Sequence, residues 1–296
     1  MRVLILGVSG MLGHKLYQHL APRFPETFGT LRGRIGDTAF RHVPAARRGR
    51  VFEQINAMEF ARLRQLLNDV RPDVTLNCIG IIKQRPEAVQ PISSITINSL
   101  LPHQLAGTIN EIGGRLIHFS TDCVFSGRRG NYGEEDCSDA EDLYGRTKYL
   151  GEVRADHVVT LRTSMIGREL THQLSLLEWF LSQIGRTIHG YSRVIYSGTT
   201  TNHLAGLVGE IIERFPRLSG LFHVATSPLS KYQLLCLLRD SLGLNVEIIP
   251  DGTVLCDRSL NGSKLSSALG YAAPSWRELI EELVHDPTPY NAWRSV

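Results

Sequence analysis

Short apolar runs alternate with longer amphipathic stretches along the first half of the chain. The apolar runs lie near residues 2–6, 27–31, 51–55, 74–79, 115–120 and 158–162, and the amphipathic stretches near 11–21, 58–70, 92–112 and 142–155. Runs that are apolar on both faces are typical of parallel strands buried between helices. The alternation therefore predicts an α/β fold with a doubly wound parallel sheet, whose ligand crevice lies at the carboxyl ends of the strands.

Beyond Thr163 the pattern becomes shorter and less regular. The elements that we predict there are a helix near 172–184, a strand near 187–189, a helix near 203–215, a strand near 221–225 and a helix that Ser230 caps and that runs through Leu242. We therefore predict a Rossmann-type domain over residues 1–163 and a smaller mixed α/β lobe over 164–296, which binds substrate and returns elements to the main sheet. The tail from Asp286 to Val296 has no periodicity, so we expect it to fray or to lie over a neighbouring surface.

The first apolar run leads into three glycines, Gly7, Gly10 and Gly13, and then into a helical pattern. Glycine lets the main chain approach a pyrophosphate, and the N–H groups at the start of the next helix face the anion. This order indicates a dinucleotide site, although the spacing differs from the commoner GxGxxG and an ordinary glycine turn is the alternative. The other cofactor-binding residues that we assign to this turn are Ser9, Met11 and Leu12.

The second strand ends in Leu31-Arg32-Gly33-Arg34, without an acidic residue at its tip. A carboxylate there would bind the ribose hydroxyls of NAD, whereas the donor fork of arginine fits the 2′-phosphate of NADP. We therefore assign Arg32 and Arg34 to that phosphate and expect NADPH, with NADH as the less favoured cofactor. The alternative is that both arginines are loop charges facing water.

Tyr144 and Lys148 stand four residues apart on a predicted helix, so their side chains project from one face. The lysine charge favours the phenolate, so we expect it to lower a tyrosine pKa that is ordinarily ~10. Thr121, which follows the fifth strand, is placed to hold a substrate oxygen in line with the phenol. The arrangement predicts proton delivery to a carbonyl, although the same spacing also occurs on solvated helix faces.

Several motifs occur in order along nearly the whole chain. After the glycine turn they are Asn77-Cys78-Ile79-Gly80, the stretch from Ser120 to Gly127, the stretch from Tyr144 to Lys148, and the stretch from Asp257 to Leu265 with Trp276 beyond it. Together they resemble the extended short-chain dehydrogenase/reductases. Within that group, the chain is most similar to the dTDP-4-dehydrorhamnose reductase family of nucleotide-sugar 4-ketoreductases.

The resemblance implies roles for residues that match the family motifs. Tyr144 would be the general acid. Lys148 would adjust the pKa of Tyr144 and bind the ribose of the cofactor, and Thr121 would supply the partner hydroxyl. The further cofactor contacts that we predict are Asn56, Ala57, Cys78, Ile79, Gly80 and Asn98. Asn56 stands where these enzymes usually have an aspartate near the adenine, and for Asn98 the alternative is a helix-to-strand hydrogen bond.

The resemblance also places Asp122 at the sugar. Cys123 and Met165 stand where the family usually has a tyrosine and a tryptophan beside the sugar, so the natural hexose need not be dehydrorhamnose. Arginine forks match a diphosphate, and loop cations near the crevice reach substrate in many enzymes. The remaining candidate substrate-binding residues, each with a solvent-facing role as the alternative, are Lys83, Arg193 and Arg258.

A polar loop over residues 127–139 follows the Ser120–Gly127 motif. Its glycines and its acidic residues Glu134, Glu135 and Asp136 indicate a flexible loop beside the active site. We interpret the acidic run as solvated charge rather than as a metal site.

Three functions from different classes remain open. The first is NADPH-dependent reduction of the 4-keto group of a nucleotide-linked 6-deoxyhexose. The second is an epimerase or a bifunctional epimerase-reductase, and the third is a non-catalytic NADP-binding regulatory subunit. Dehydration is disfavoured because Cys123 follows Asp122, and a thiol of pKa ~8.5 does not replace the second carboxylate that dehydratases need. The Thr121, Tyr144 and Lys148 set favours the reductase.

Composition adds limits to these hypotheses. The 296 residues suffice for a dinucleotide domain with an attached lobe. A net charge of +3 is too small to indicate nucleic acid, and it suits an anionic nucleotide-sugar substrate. The cysteines form no CxxC pair and the histidines show no ligand spacing, so we expect a cytoplasmic location and no metal. No apolar run reaches ~18 residues, so we expect no membrane partner. A homodimer stays open.

Overall fold

Strands and helices alternate through the first half of the chain. The structure is a computed structural model, and it describes residues 1–44, 46, 50–84, 86–171 and 173–294. The elements are β1 (Arg2–Leu6), α1 (Met11–Arg23), β2 (Glu26–Thr30), β3 (Val51–Phe52), α2 (Phe60–Val70), β4 (Val74–Asn77), α3 (Pro91–Ser94), α4 (Leu101–Glu111), β5 (Arg115–Ser120), α5 (Leu143–Leu150) and β6 (Val158–Arg162). A π-helical stretch, Ile95–Leu100, joins α3 to α4. The predicted alternation is confirmed, although β3 is shorter than expected.

Shorter elements build the second half. They are β7 (Met165–Ile166), α6 (Leu176–Leu181), β8 (Thr187–Tyr191), β9 (Val194–Tyr196), β10 (Thr199–Thr200), α7 (Thr201–Arg214), β11 (Gly220–His223), β12 (Leu229–Ser230), α8 (Lys231–Leu242), β13 (Glu247–Asp251), β14 (Cys256–Asp257), α9 (Ser263–Leu269), α10 (Trp276–Val284) and α11 (Tyr290–Arg294). Ser230 caps α8 as predicted, because its hydroxyl accepts from the Gln233 N–H while the Gln233 side chain accepts from the Ser230 N–H. Within the described ranges, no helix is both long and apolar enough to cross a membrane.

The main sheet has seven strands in the order β11-β6-β5-β4-β1-β2-β3, and every pair is parallel. This is the predicted doubly wound sheet. Its edge strand β11 comes from beyond residue 163, so the second half does return an element to the sheet, and the domain boundary itself stays a prediction. The strand order reverses between β1 and β4, which puts a crevice at their carboxyl ends.

Apolar side chains cover both faces of the sheet. Successive residues of a strand point to opposite faces, and in β1 the residues Val3 and Ile5 join one core cluster while Leu4 and Leu6 join another. The first cluster includes side chains of α1 and α7, and the second includes side chains of α2 and α4. A third cluster, which includes Phe180, fills the second half. Burial on both faces explains why the sequences of the strands are continuous apolar runs.

The C-terminal tail lies over α1; its last two residues, 295 and 296, fall outside the described ranges. Asp286 accepts from the Lys15 ammonium at 2.5 Å, with both side chains less than a tenth exposed. The Tyr290 hydroxyl lies 2.9 Å from Nε2 of the buried His14. Arg294 donates to the buried Glu178 on α6 at 2.9 Å. The tail therefore ties the first turns of α1 to the second half of the molecule.

The buried ion pair between Lys15 and Asp286 generates a stability prediction. Replacing Asp286 by Ala leaves the Lys15 ammonium buried without its carboxylate, and breaking a buried pair from one side costs about 3–5 kcal/mol. We expect a loss of that size in the free energy of unfolding, measured by urea titration at pH 7. Glu111→Ala is the matched control, because its pair with Arg64 is more than half exposed on both sides and is worth about 1 kcal/mol or less. Equal losses in the two variants would contradict the prediction.

Candidate active site

The glycine turn joins the end of β1 to the start of α1. The Gly10 N–H donates to the Gly7 carbonyl at 3.1 Å. A Cβ on Gly13 would lie 2.1 Å from the Gly7 carbonyl oxygen, so a larger residue at position 13 would push the helix away from the turn. Gly10 is the N-cap of α1 and has no side chain to accept from the first N–H groups. Those N–H groups, which include the ones at Met11 and Leu12, fit a pyrophosphate.

The segment after β4 lies directly against this turn. A Cβ on Gly7 would lie 3.2 Å from the Ile79 side chain and 3.6 Å from the Cys78 main chain. The Cys78 N–H donates to the Leu6 carbonyl at 3.1 Å, which continues the pairing of β4 with β1. The predicted cofactor residues at the ends of these two strands are thus brought together at the point where the strand order reverses.

Asn98 holds the exit of β4 in place. Its amide oxygen accepts from the Ile81 N–H at 2.9 Å, and its amide nitrogen donates to the Ile81 carbonyl at 3.0 Å and to the Thr147 hydroxyl at 3.3 Å. The buried Asn98 side chain therefore connects the loop after β4 to α5. This is a support role, and a contact between Asn98 and the cofactor stays a prediction.

An open pocket of about 510 Å³ lies beside the ends of β2 and β3. Its lining includes Arg32, Arg34, Asn56 and Glu59, together with Arg62 from α2. Arg62 was not predicted from the sequence, because a charge on the polar face of a helix looks like any solvated residue. Three arginines around one pocket suit a phosphate. Asn56 also accepts from the Met58 N–H at 3.2 Å and so shapes the start of α2. Ala57 is buried behind the pocket.

Helix α5 places Tyr144 beside Thr121. Asp142 begins the helix, and its carboxylate accepts from the Gly145 N–H at 2.7 Å. A Cβ on Gly145 would lie 2.2 Å from the Cys123 carbonyl oxygen, so the helix rests on the loop that carries Thr121. The Thr121 hydroxyl accepts from the Cys123 N–H at 3.1 Å, and it lies close enough to the Tyr144 phenol to lower the phenol's pKa. The two predicted catalytic hydroxyls therefore meet at the carboxyl end of β5.

Lys148 is buried one turn further along α5. Its ammonium donates to the Phe119 carbonyl at 2.7 Å. Burial lowers the pKa of Lys148 to about 8, and the neighbouring Glu152 carboxylate opposes that change. Glu152 in turn accepts from the Ser120 hydroxyl at 2.6 Å and from two nitrogens of the fully buried Arg162 at 2.7 Å. This ion pair was not predicted from the sequence, although an arginine inside an apolar strand indicates a buried partner.

The expected lowering of the Tyr144 pKa is wrong for this structure. Burial raises the pKa of the phenol, and the neighbouring Cys123 and Asp122 raise it further, whereas only the Thr121 contact acts in the opposite direction. Lys148 makes its hydrogen bond to the main chain and not to the phenol. The phenol is therefore neutral in this state, which suits a proton donor.

Two predicted substrate-binding cations lie near Tyr144. The Lys83 ammonium lies 5.7 Å from the centre of the Tyr144 ring and donates to Asp142 at 2.6 Å. Arg258 donates to the Phe125 carbonyl at 2.8 Å. Burial alone would lower the pKa of Arg258, but nearby groups, Cys123 and Asp122 among them, raise it above its ordinary value. The predicted substrate-binding residues around the crevice thus include two cations, Lys83 and Arg258, and one carboxylate, Asp122.

Two other substrate candidates make no described contact with Tyr144. Arg193 is exposed in the turn between β8 and β9, and its main-chain carbonyl accepts from the Cys256 N–H at 3.2 Å. Met165 pairs with Thr199 in the ladder between β7 and β10 and packs against the core cluster beneath the main sheet. Their roles at the substrate stay predictions.

The acidic loop residues do not form a uniform solvated run. Glu134 is buried, and its carboxylate accepts from the His223 N–H at 2.9 Å. Asp136 forms an ion pair with Arg129, and Glu135 is exposed. The interpretation as solvated charge is wrong for Glu134, which ties the loop to β11.

Comparisons with known proteins give the family. The family described as RmlD substrate binding domain matches residues 1–288. Methionine adenosyltransferase 2 subunit beta of Mus musculus is 33% identical over 153 residues, which span 51% of this chain and only 41% of that protein. The spore coat polysaccharide biosynthesis protein SpsK of Bacillus subtilis is 22% identical over 304 residues, which span 96% of this chain and 97% of that protein.

Solved structures have the same fold. The dTDP-4-dehydrorhamnose reductase of Bacillus anthracis, determined in complex with NADP, matches with a TM-score of 0.78 at 20% identity, and the match covers 95% of this chain and 98% of that one. At that level of identity the likeness confirms the Rossmann-type fold. The family match covers nearly the whole chain and agrees with the resemblance of the sequence motifs. The chain therefore belongs to the RmlD substrate-binding domain family.

Proposed function

We propose that the protein reduces the 4-keto group of a nucleotide-linked 6-deoxyhexose with NADPH. The observation that supports this proposal is the close packing of α5 on the Cys123 main chain, which brings the Tyr144 phenol near the Thr121 hydroxyl and buries the Lys148 ammonium against the Phe119 carbonyl. Membership of the RmlD family supports it. The NADP in the related Bacillus anthracis reductase supports the cofactor.

The cofactor fits the residues that would hold it. The close contact of Gly13 with Gly7 leaves main-chain N–H groups available to a pyrophosphate. Arg32 and Arg34, with Arg62, would hold the 2′-phosphate of the adenosine ribose. Lys148 and Tyr144 would meet the nicotinamide ribose, as the resemblance implies. When bound, NADPH supplies the hydride that reduces the carbonyl carbon.

The residues of this chain supply the proton and the orientation. Tyr144 donates its phenolic proton to the carbonyl oxygen, and the Thr121 hydroxyl holds the same oxygen in line. The Lys148 charge stabilises the phenolate that remains until solvent returns the proton. Lys83 and Arg258 would hold the diphosphate, and Asp122 the sugar. Fixing the carbonyl between these groups supplies much of the rate.

Two alternatives make predictions that differ from those of the reductase. The names of the relatives that are subunits of methionine adenosyltransferase 2 favour a regulatory subunit. Such a subunit would bind NADP(H) and turn over no keto-sugar. An epimerase or bifunctional enzyme would retain tightly bound NAD after purification. A panel of nucleotide-linked 4-keto sugars, followed by loss of the NADPH absorbance, separates the regulatory subunit and the epimerase from the reductase.

Tyr144→Phe tests the proton donor. Loss of a positioned general acid lowers the rate by about 10²–10⁴-fold, so we expect kcat for keto-sugar reduction to fall by that factor. NADPH binding, followed by fluorescence titration, should stay within about threefold of the parent protein, because the phenyl ring keeps the packing. Tyr271→Phe, which removes a hydroxyl bonded to His203, is the control and should keep full activity. Full activity in Tyr144→Phe would exclude this role.

The pH dependence follows from the lowered pKa of Lys148. Below its pKa of about 8 the lysine is charged, and above it the charge is lost. We expect kcat/KM for NADPH, which reports the free protein, to be level at pH 6 to 7 and to fall as the pH rises through 8. Tyr144 must be protonated to donate, and its raised pKa moves any loss of activity from its own ionisation to a higher pH than that of Lys148. Lys148→Met should have lower activity and lose the alkaline limb. A limb that persists in this variant would assign it to another group.

The arginine pocket predicts the cofactor preference. Each charge-assisted hydrogen bond to a phosphate contributes about 1.5–3 kcal/mol, so Arg32→Ala combined with Arg34→Ala should lower kcat/KM for NADPH at least tenfold. The value for NADH, which has no 2′-phosphate, should change little. Arg64→Ala is the control, because Arg64 lies on α2 and pairs with Glu111. Equal losses for both cofactors would show that the two arginines do not contact the 2′-phosphate.

A further inference from the structure

The hydroxyl of Tyr196 is buried without a hydrogen bond among the described residues. Tyr196 is the last residue of β9 and is only 6% exposed. Its oxygen has no hydrogen-bond partner within the described ranges, although the Ser164 side chain is near enough to lower its pKa. A buried hydroxyl normally finds a partner, because it lost its hydrogen bonds to water on folding. An unpaired one beside a crevice therefore suggests a ligand.

Packing fixes the position of this hydroxyl. The ring centre lies 5.3 Å from that of Trp276, and the Tyr196 main chain pairs with Leu229 in the ladder between β9 and β12. A Cβ on Gly198 would lie 2.4 Å from the Tyr196 oxygen and 2.1 Å from the Ser164 carbonyl oxygen. The absence of a side chain at Gly198 therefore leaves the space that the hydroxyl occupies. The ring packs against Trp276 and its main chain is fixed in the ladder, so its oxygen points to a defined place.

That place is next to the residues already assigned to the substrate. The Thr163 N–H donates to the Ser120 carbonyl at 3.5 Å, and the carbonyl of the next residue, Ser164, lies beside the Tyr196 hydroxyl, so this hydroxyl is near the loop that carries Thr121 and Asp122. The Asp122 carboxylate also raises the pKa of Tyr196, after the larger effect of burial. Asp122 is itself only 8% exposed, and its one described side-chain partner is the adjacent Thr121 hydroxyl at 3.1 Å. Thr121 in turn contacts the Tyr144 phenol. A donor from the second half and an acceptor from the main sheet thus face the same region beside the proposed carbonyl site.

We propose that Tyr196 and Asp122 together bind one free hydroxyl of the sugar ring, near the carbon that is reduced. A sugar hydroxyl is both donor and acceptor, so it can donate to the Asp122 carboxylate and accept from the Tyr196 phenol. This inference rests on the proposed function and specifies its substrate as a hexose that keeps a hydroxyl at this position. With Cys123 and Met165 in place of aromatic residues, recognition there is by hydrogen bonds rather than by stacking.

Tyr196→Phe tests this proposal, because it removes the hydroxyl and keeps the ring on Trp276. The measurement is calorimetric titration into the protein saturated with NADP⁺, using dTDP-, UDP-, GDP- and CDP-linked hexoses and the matching free nucleotides. We expect the variant to bind the best nucleotide sugar of the panel about tenfold more weakly, the effect of one lost hydrogen bond. Affinity for the free nucleotide should not change, because Tyr196 contacts the sugar alone.

Thermal unfolding separates this role from a structural one. Tyr196→Phe removes an unpaired hydroxyl, so its midpoint should equal or exceed that of the parent protein. Tyr271→Phe is the matched control, because its hydroxyl lies 2.6 Å from His203 Nε2. That control should unfold at a lower temperature and keep its affinity for the nucleotide sugar.

The remaining outcomes separate this inference from the proposed function. Unchanged sugar affinity in Tyr196→Phe would overturn the inference, and so would an equal loss of affinity for the free nucleotide. Failure of the parent protein to bind any nucleotide sugar of the panel would overturn it as well. Selective loss of sugar binding, in a protein that oxidises no NADPH with any keto-sugar, would support the inference and overturn the reductase.

Discussion

The contact between helix α5 and the main chain of Cys123 organises the candidate site. Gly145 allows it, because any side chain there would overlap the Cys123 carbonyl. This packing brings the Tyr144 phenol to the Thr121 hydroxyl. It also sets Lys148 one turn lower, against the carbonyl of Phe119. The geometry needed for proton transfer thus depends on how closely one helix approaches the loop after one strand.

Burial then sets the chemistry of these groups, because it penalises whichever form is charged. It raises the pKa of the Tyr144 phenol and lowers that of the Lys148 ammonium. The site therefore holds a neutral phenol beside a cation that loses its proton near neutral pH more readily than a surface lysine does. A neutral phenol suits proton donation to a carbonyl better than proton abstraction from an alcohol. The ion pair of Glu152 with Arg162 provides the carboxylate that helps to keep Lys148 charged.

The second half of the chain is integrated with the cofactor-binding half rather than attached to its edge. Strand β11 completes the main sheet, and the tail buries Asp286 against Lys15 on α1. The second half also contributes Tyr196 on β9, for which we propose a role in binding the sugar. A common fold with variable residues at the crevice is how one family comes to serve several functions.

Alternation of strands and helices, the glycine turn and the order of the motifs were determined by the sequence itself, because they depend on periodicity and on residues close along the chain. The position of Tyr144 and Lys148 on one face of the same helix was predictable for the same reason. Only the tertiary structure decided that Glu134 is buried against β11, that Arg62 joins the arginine pocket and that the pKa of Tyr144 rises. Each of these depends on burial or on neighbours distant in sequence, and neither can be read from a local pattern.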